Sequence, residues 1–190
     1  PIQDAFRSRI SVSAVFFANG LFVGCWAVLI PVVIKNLNIT ESEMGLVILS
    51  GGIAAIIALA LSSKIISLFG ARAVMILAAI GLTPGLYIIL QVQSFSSAVI
   101  ILGFIMAFLA AQDVAMNANA ADLEQRAKQP IMSAFHGFWS AGAMVGALTG
   151  GSAIVLLGSD YFGLIAGFII LAAALVGYPY LEQKSPPTDS

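Results

Sequence analysis

The distance between charged residues constrains this chain more than any other feature. Ser11 to Ile34 contains no charge, and after Arg72 none occurs until Asp113. A charge at the centre of a lipid-embedded helix is costly, and a helix needs about 20 predominantly apolar residues to cross a hydrocarbon core ~30 Å thick. Each interval between charges is therefore a candidate crossing. Charged residues make up 9 % and hydrophobic residues 60 % of 190 residues, a balance far from that of soluble domains. That length accommodates six crossings with short connections and no sizeable soluble domain.

The first crossing is expected at about 11–34, ending near Pro31 and Lys35. Its length and the lack of a small-residue cleavage pattern mark it as a retained helix rather than a signal peptide. Thr40 and Glu43 fit a capping box that opens a second crossing at 43–68, with Lys64 able to snorkel at its end. The interval after Arg72 is too long for one crossing and is broken by Gln91, Gln93, Ser94, Ser96 and Ser97, which gives crossings at 72–90 and 96–119. From Asp122 to Pro130, with Glu124, Arg126 and Lys128, the chain is too polar for hydrocarbon. Pro130 suits the first turn of a fifth crossing at 130–157. After the turn Gly158-Ser159-Asp160, a sixth crossing follows at 161–181. Residues 182–190, with Pro186 and Pro187, read as a cytoplasmic tail or the start of a central linker. The fold class is an all-α membrane bundle over residues 1–181.

Alternating the crossings puts Arg7, Arg9, Lys64, Arg72, Arg126, Lys128 and Lys184 on one side and leaves only Lys35 on the other. The positive-inside rule then places both termini in the cytoplasm of a multi-pass plasma-membrane protein, such as one of a bacterial inner membrane. A net charge of −1 offers no basic excess for nucleic acid, and the single Cys25 has no disulfide partner. No metal-ligand cluster, nucleophile triad or phosphate-binding loop is present, so the sequence points away from an enzyme and calls for no cofactor or metal.

The chemistry-bearing residues are few. Asp113 is the acid well inside a crossing, a position that marks a functional site by default. Asn117, four residues on, shares its helix face. Proton binding is one use of Asp113; the other reading is an acid that ends the fourth helix early or is tied to a neighbour. His136, the sole histidine, lies about 9 Å into the fifth crossing from Pro130 at 1.5 Å per residue, and Asp113 lies about 9 Å from a fourth-crossing end near Asn119. They are expected to form a proton-sensitive pair with Asn19 at comparable depth, or else His136 is hydrogen-bonded in a helix interface. Trp26 and Trp139 can stack on a ring-bearing solute or can serve packing and interfacial anchoring. Gly142, Gly146 and Gly150 recur at the spacing that lets helix backbones approach closely in lipid.

Several of these segments carry a family resemblance. GAMVGALTGG, Gly142 to Gly151, resembles the fifth-helix glycine motif of the major facilitator superfamily, with Ala147 where that motif has Pro. SKIISLFGARAVM resembles the superfamily's cytoplasmic loop motif: Gly70 and Arg72 match, and Ser67 falls at the acidic position. Without the family, Gly70 and Arg72 read as a tight turn and a cytoplasmic anchor. The Asp113-x-x-x-Asn117 pattern resembles the fucose permease branch, whose members are proton-coupled sugar symporters. That branch also carries an acid on its first helix, where this chain has Asn19, Cys25 and Trp26.

The resemblance implies six helices arranged as two inverted three-helix repeats, forming the amino-terminal half of a twelve-helix secondary transporter. It implies a solute site near the midplane against the first and fourth crossings, for which Asn19, Trp26, Asn117 and Trp139 are the candidate solute-binding residues of this sequence. The solute would be small and polar or neutral, such as a sugar, moved by alternating access with protons. The facing wall would come from a carboxyl-terminal half or from a second copy of the chain. Two alternatives stand beside this reading: efflux of a drug or metabolite by antiport, and a six-helix subunit or sensor that moves no solute.

Overall fold

The computed structural model describes residues 2–181, with side chains from Phe6 onward. The expected tail at 182–190, including Lys184, lies outside the described residues. The described chain is helical throughout: α1 (Ile2–Leu37), α2 (Glu41–Phe69), α3 (Ala71–Leu82), α4 (Gly85–Gln91), α5 (Phe95–Ala127), α6 (Met132–Leu157) and α7 (Ser159–Gly177), closed by a 3₁₀ turn over Tyr178–Tyr180. Six crossings result, with α3 and α4 forming one of them between Ala71 and Gln91.

Local chemistry sets the boundaries. At the start of α2, Thr40 Oγ1 accepts from the Glu43 N–H at 3.2 Å, and Glu43 Oε2 accepts from the Thr40 N–H at 2.7 Å. Ser94 and Ser97 repeat that reciprocal capping at the start of α5. Gly70 and Gly158 take φ of 82° and 86°, a region open chiefly to glycine, and turn α2 into α3 and α6 into α7. The third crossing is interrupted at Pro84, which has no N–H for the Ile80 carbonyl. Just before it, Thr83 Oγ1 donates to the Ala79 carbonyl at 2.7 Å. The fourth crossing stays helical past Asn119 to Ala127, and α6 begins at Met132, just beyond Pro130. Glu124 on α5 caps α6: its Oε2 accepts from the Ile131 and Met132 N–H groups at 2.7 and 2.6 Å.

The packing follows a repeat. α1 packs on α6 and α7, α5 packs on α2 and α3, and the α3–α4 crossing packs on α7. Exchanging the first three crossings for the last three maps the α1/α6 pair onto α5/α2, the α1/α7 pair onto α5/α3, and the third/sixth pair onto itself. The turns at Gly70 and Gly158 are equivalent under the same exchange.

Two apolar cores fill the bundle. One, around Phe22, Leu29, Met44, Leu86, Leu102 and Ile170, lies away from the basic end. The other, around Val12, Phe16, Met75, Met116, Leu123 and Phe135, lies toward it. At the seam between them two amides, Asn19 and Gln112, are buried.

Candidate functional site

At that seam, α1 passes from Phe16 in one core to Phe22 in the other, with Asn19 between them; α5 passes from Ile105 to Ala115, with Gln112 between. Both amides are buried, Asn19 at 2 % exposure and Gln112 at 0 %. Burial of an amide is tolerated when its polar atoms are paired. Trp139 Nε1 on α6 donates to Asn19 Oδ1 at 2.8 Å, and Asn19 Nδ2 donates to Gln112 Oε1 at 3.2 Å. One hydrogen-bonded chain thus ties α6, α1 and α5 together at the level of the seam. It ends on Gln112 Nε2, which is buried and has no hydrogen-bond partner among the described residues.

Beside Gln112, Asp113 projects from α5 and is half-buried. Asn117 Nδ2 donates to the Asp113 backbone carbonyl at 2.8 Å and lies 3.3 Å from its Oδ1. His136 on α6 is exposed and sits edge-on against the Phe16 ring, with centroids 5.4 Å apart and planes at 86°. His136 and the Asp113 carboxylate are near enough to interact electrostatically. The arrangement offers a carboxyl, an amide and an imidazole, together with a half-buried indole whose orientation is held from behind by Asn19.

Trp26 sits elsewhere: it is buried in the core that holds Phe22 and Leu29, two helical turns along α1 from Asn19. Gly142, Gly146 and Gly150 face α1. A Cβ at Gly142 would overlap the Phe17 carbonyl, and one at Gly150 would come within 2.9 Å of the Val28 side chain. Arg72 donates through Nε to the Leu181 carbonyl at 2.9 Å and lays its guanidinium 4.9 Å from the Tyr178 ring centroid. The first residues of α3 are thereby tied to the end of the sixth crossing, while Gly70 supplies the turn that brings Arg72 there.

Four features escaped the reading of the sequence. Gln112 stands next to Asp113 and is a polar residue in mid-crossing, a signal that was available. Glu124 belongs by sequence to a polar loop, whereas α5 extends through it and presents it to the start of α6. Gly20 and Gly24 have the same four-residue spacing as the α6 glycines and bring α1 against the Trp139 and Ala143 carbonyls of α6. Gly163 and Gly167 do the same for α7, where a Cβ at Gly167 would overlap the Thr83 carbonyl at the break in the third crossing.

The family model described as Major Facilitator Superfamily matches residues 12–190. An uncharacterized MFS-type transporter of Yersinia pestis is 30 % identical over 175 residues, covering 92 % of this chain and 45 % of the relative. The uncharacterized transporter y4wD of Sinorhizobium fredii is 28 % identical over 183 residues, with 92 % and 46 % covered. Membrane protein MosC of Rhizobium meliloti is 28 % identical over 184 residues, with 91 % and 43 % covered. The chain spans about half the length of these relatives. No solved structure matches it.

Proposed function

We propose, from the premise that this chain belongs to the Major Facilitator Superfamily, that it forms one six-helix half of a secondary transporter that moves a small polar or neutral solute together with protons. The observation that carries the reading is the polar seam: amides from α1 and α5, where apolar packing would be simpler, hold the Trp139 indole in a chain that ends on Gln112, the neighbour of Asp113 in α5. Buried polar groups of this kind in a membrane bundle line solute and ion pathways. The facing wall is a carboxyl-terminal half, a reading supported by relatives about twice as long as the chain. Within the superfamily, the Asp113-x-x-x-Asn117 pattern resembles that of the fucose permease-like branch.

In this reading Trp139 offers an apolar plate to a ring-bearing solute, and Asn117 and Asp113 supply hydrogen bonds at its edge. Whether a half-buried carboxyl holds a proton depends on its wetting and on its neighbour's charge. A shift of α5 against α6 changes both for Asp113, by altering access of water and the separation from His136. Rocking of the two halves would then couple proton movement to solute movement. Both termini face the cytoplasm and the membrane is the bacterial inner membrane, a placement supported by the charge asymmetry and by the bacterial origin of the relatives. The protein moves solute without chemical change, so it is not an enzyme.

The test uses the full-length parent in proteoliposomes under an imposed proton gradient, with a panel of labelled sugars and neutral metabolites. Gradient-driven accumulation is expected for the wild type. Asp113→Asn should lose that accumulation and keep solute exchange at zero gradient. Full pH-dependent uptake by Asp113→Asn removes this carboxyl from the coupling mechanism.

A further inference from the structure

We propose that the groove between α1, α6 and α7 at the basic end of the bundle binds an anionic phospholipid, with one acyl chain lying in the groove and the phosphate at Arg9. The groove encloses about 750 Å³; Arg9, Ala14, Phe17, Phe138, Ile169 and Val176 line it, and among the described residues Arg9 is the only charged one in the lining. From Arg9 to Ala18, the far end of its wall on α1, the helix rises about 14 Å. Half of a ~30 Å hydrocarbon core is about 15 Å, so the groove is as deep as one leaflet.

The end of the bundle that carries Arg9 has the composition of a membrane–water interface: Arg7 lies 5.5 Å from the Tyr180 ring centroid, and Arg72 lies 4.9 Å from that of Tyr178. Arg9 Nη2 donates to Gln129 Oε1 at 2.9 Å, which fixes the guanidinium while using one of its five donors. A cation held at the mouth of an apolar, leaflet-deep furrow complements a molecule with a negative head and a hydrocarbon tail. A zwitterionic lipid matches the furrow without matching the charge.

The full-length protein, reconstituted in vesicles of phosphatidylglycerol and phosphatidylcholine and then transferred to detergent, can be read by native mass spectrometry for retained lipid. The wild type should keep phosphatidylglycerol in preference to phosphatidylcholine. Arg9→Gln should reduce that preference about fivefold, the effect of one basic residue near an anionic surface. Lys64→Gln, at the same end but outside the groove, should leave it unchanged. Ala14→Trp, at an exposed position in the groove wall, should remove the retained lipid. Equal losses in Arg9→Gln and Lys64→Gln would reduce the effect to unspecific surface charge and overturn the proposal. Unchanged retention in Ala14→Trp also overturns it, because the lipid then sits elsewhere and the groove is left to a protein helix.

Discussion

The α1/α6 and α2/α5 pairs occupy equivalent places in the two repeats, yet they are held together differently. Between α1 and α6 the backbones touch: a Cβ at Gly20 would overlap the Trp139 carbonyl, one at Gly24 the Ala143 carbonyl, and one at Gly142 the Phe17 carbonyl. Between α2 and α5 side chains do the filling. A Cβ at Gly51 would come within 2.9 Å of Met106 Cγ, and one at Gly103 would lie 3.7 Å from Ala54 Cβ, an ordinary contact. An open furrow of about 420 Å³, lined by Ser50, Ala54, Ala58, Gly103 and Ala107 among others, runs along this second pair. The repeat has kept the topology and let the packing diverge. In lipid, helices associate through van der Waals contact and polar bonds rather than water exclusion, so the closer pair forms the firmer frame. It is also the pair that carries the Asn19–Trp139 bond.

The largest effect is therefore expected from Gly142→Ala. The added methyl meets a carbonyl oxygen on the neighbouring backbone, which no rotamer change can move aside. α1 and α6 must separate along the stretch that includes Gly20 and Gly146. Overpacking of this kind destabilises by about 3 kcal/mol. Cys25, the chain's sole cysteine, is buried at 3 % exposure, and its backbone N–H would lie 2.9 Å from a Cβ at Gly146. Its labelling by a maleimide dye during heating thus reports opening of this interface. Gly142→Ala should label well below the wild-type transition; a wild-type labelling curve would mean the backbones are not in contact.

A smaller effect separates the two buried amides. Asn19→Ala removes both the acceptor of the Trp139 indole and the donor to Gln112 Oε1, so two groups at the seam lose their partner. Interhelical hydrogen bonds in membranes are each worth about 1 kcal/mol, which puts the loss at roughly 1–2 kcal/mol. Gln112→Leu strands the Asn19 amide N–H but also removes the unpartnered Nε2, so the changes offset and less than about 1 kcal/mol is expected. Unfolding titrations in mixed micelles, followed by tryptophan fluorescence, can order the two variants. If Gln112→Leu proves the more destabilising, Nε2 contributes a bond to the folded state, and the seam extends beyond the three residues described.

The six crossings were legible because membrane insertion enforces a simple rule: charge is kept out of hydrocarbon, so the intervals between charges trace the topology. Thr40 with Glu43, and the α6 glycines, were legible because capping and close approach use fixed spacings. Pairing across the bundle was not. Trp26 and Trp139 are the same residue in similarly apolar runs, yet one is core and the other is bonded to Asn19, a difference set by which helix lies opposite. The Asn19–Gln112 bond joins positions 93 apart, and no local pattern marks it. Helical rise puts Asp113 and His136 at one depth, but it cannot give the faces they present. The same limit applies to Gly20 and Gly24, whose role depends on which α6 backbone lies opposite them.

The smallest predicted effect tests the looser pair. Gly103 sits inside α5 and lines the α2/α5 furrow, where a methyl makes ordinary contact with Ala54. Glycine inside a helix is less favourable than alanine by about 1 kcal/mol in water, and the furrow offers room for the added atom. Gly103→Ala should accordingly be neutral or raise the unfolding temperature slightly. Gly51→Ala, whose methyl presses on Met106, should fall between Gly103→Ala and Gly142→Ala, because a methionine side chain can move where a backbone carbonyl cannot. Three glycine-to-alanine changes at different sites would thus rank by what the methyl meets: open furrow, flexible side chain, fixed backbone. If Gly103→Ala destabilises as much as Gly142→Ala, the two repeats are packed alike and the contrast between frame and adjustable pair fails.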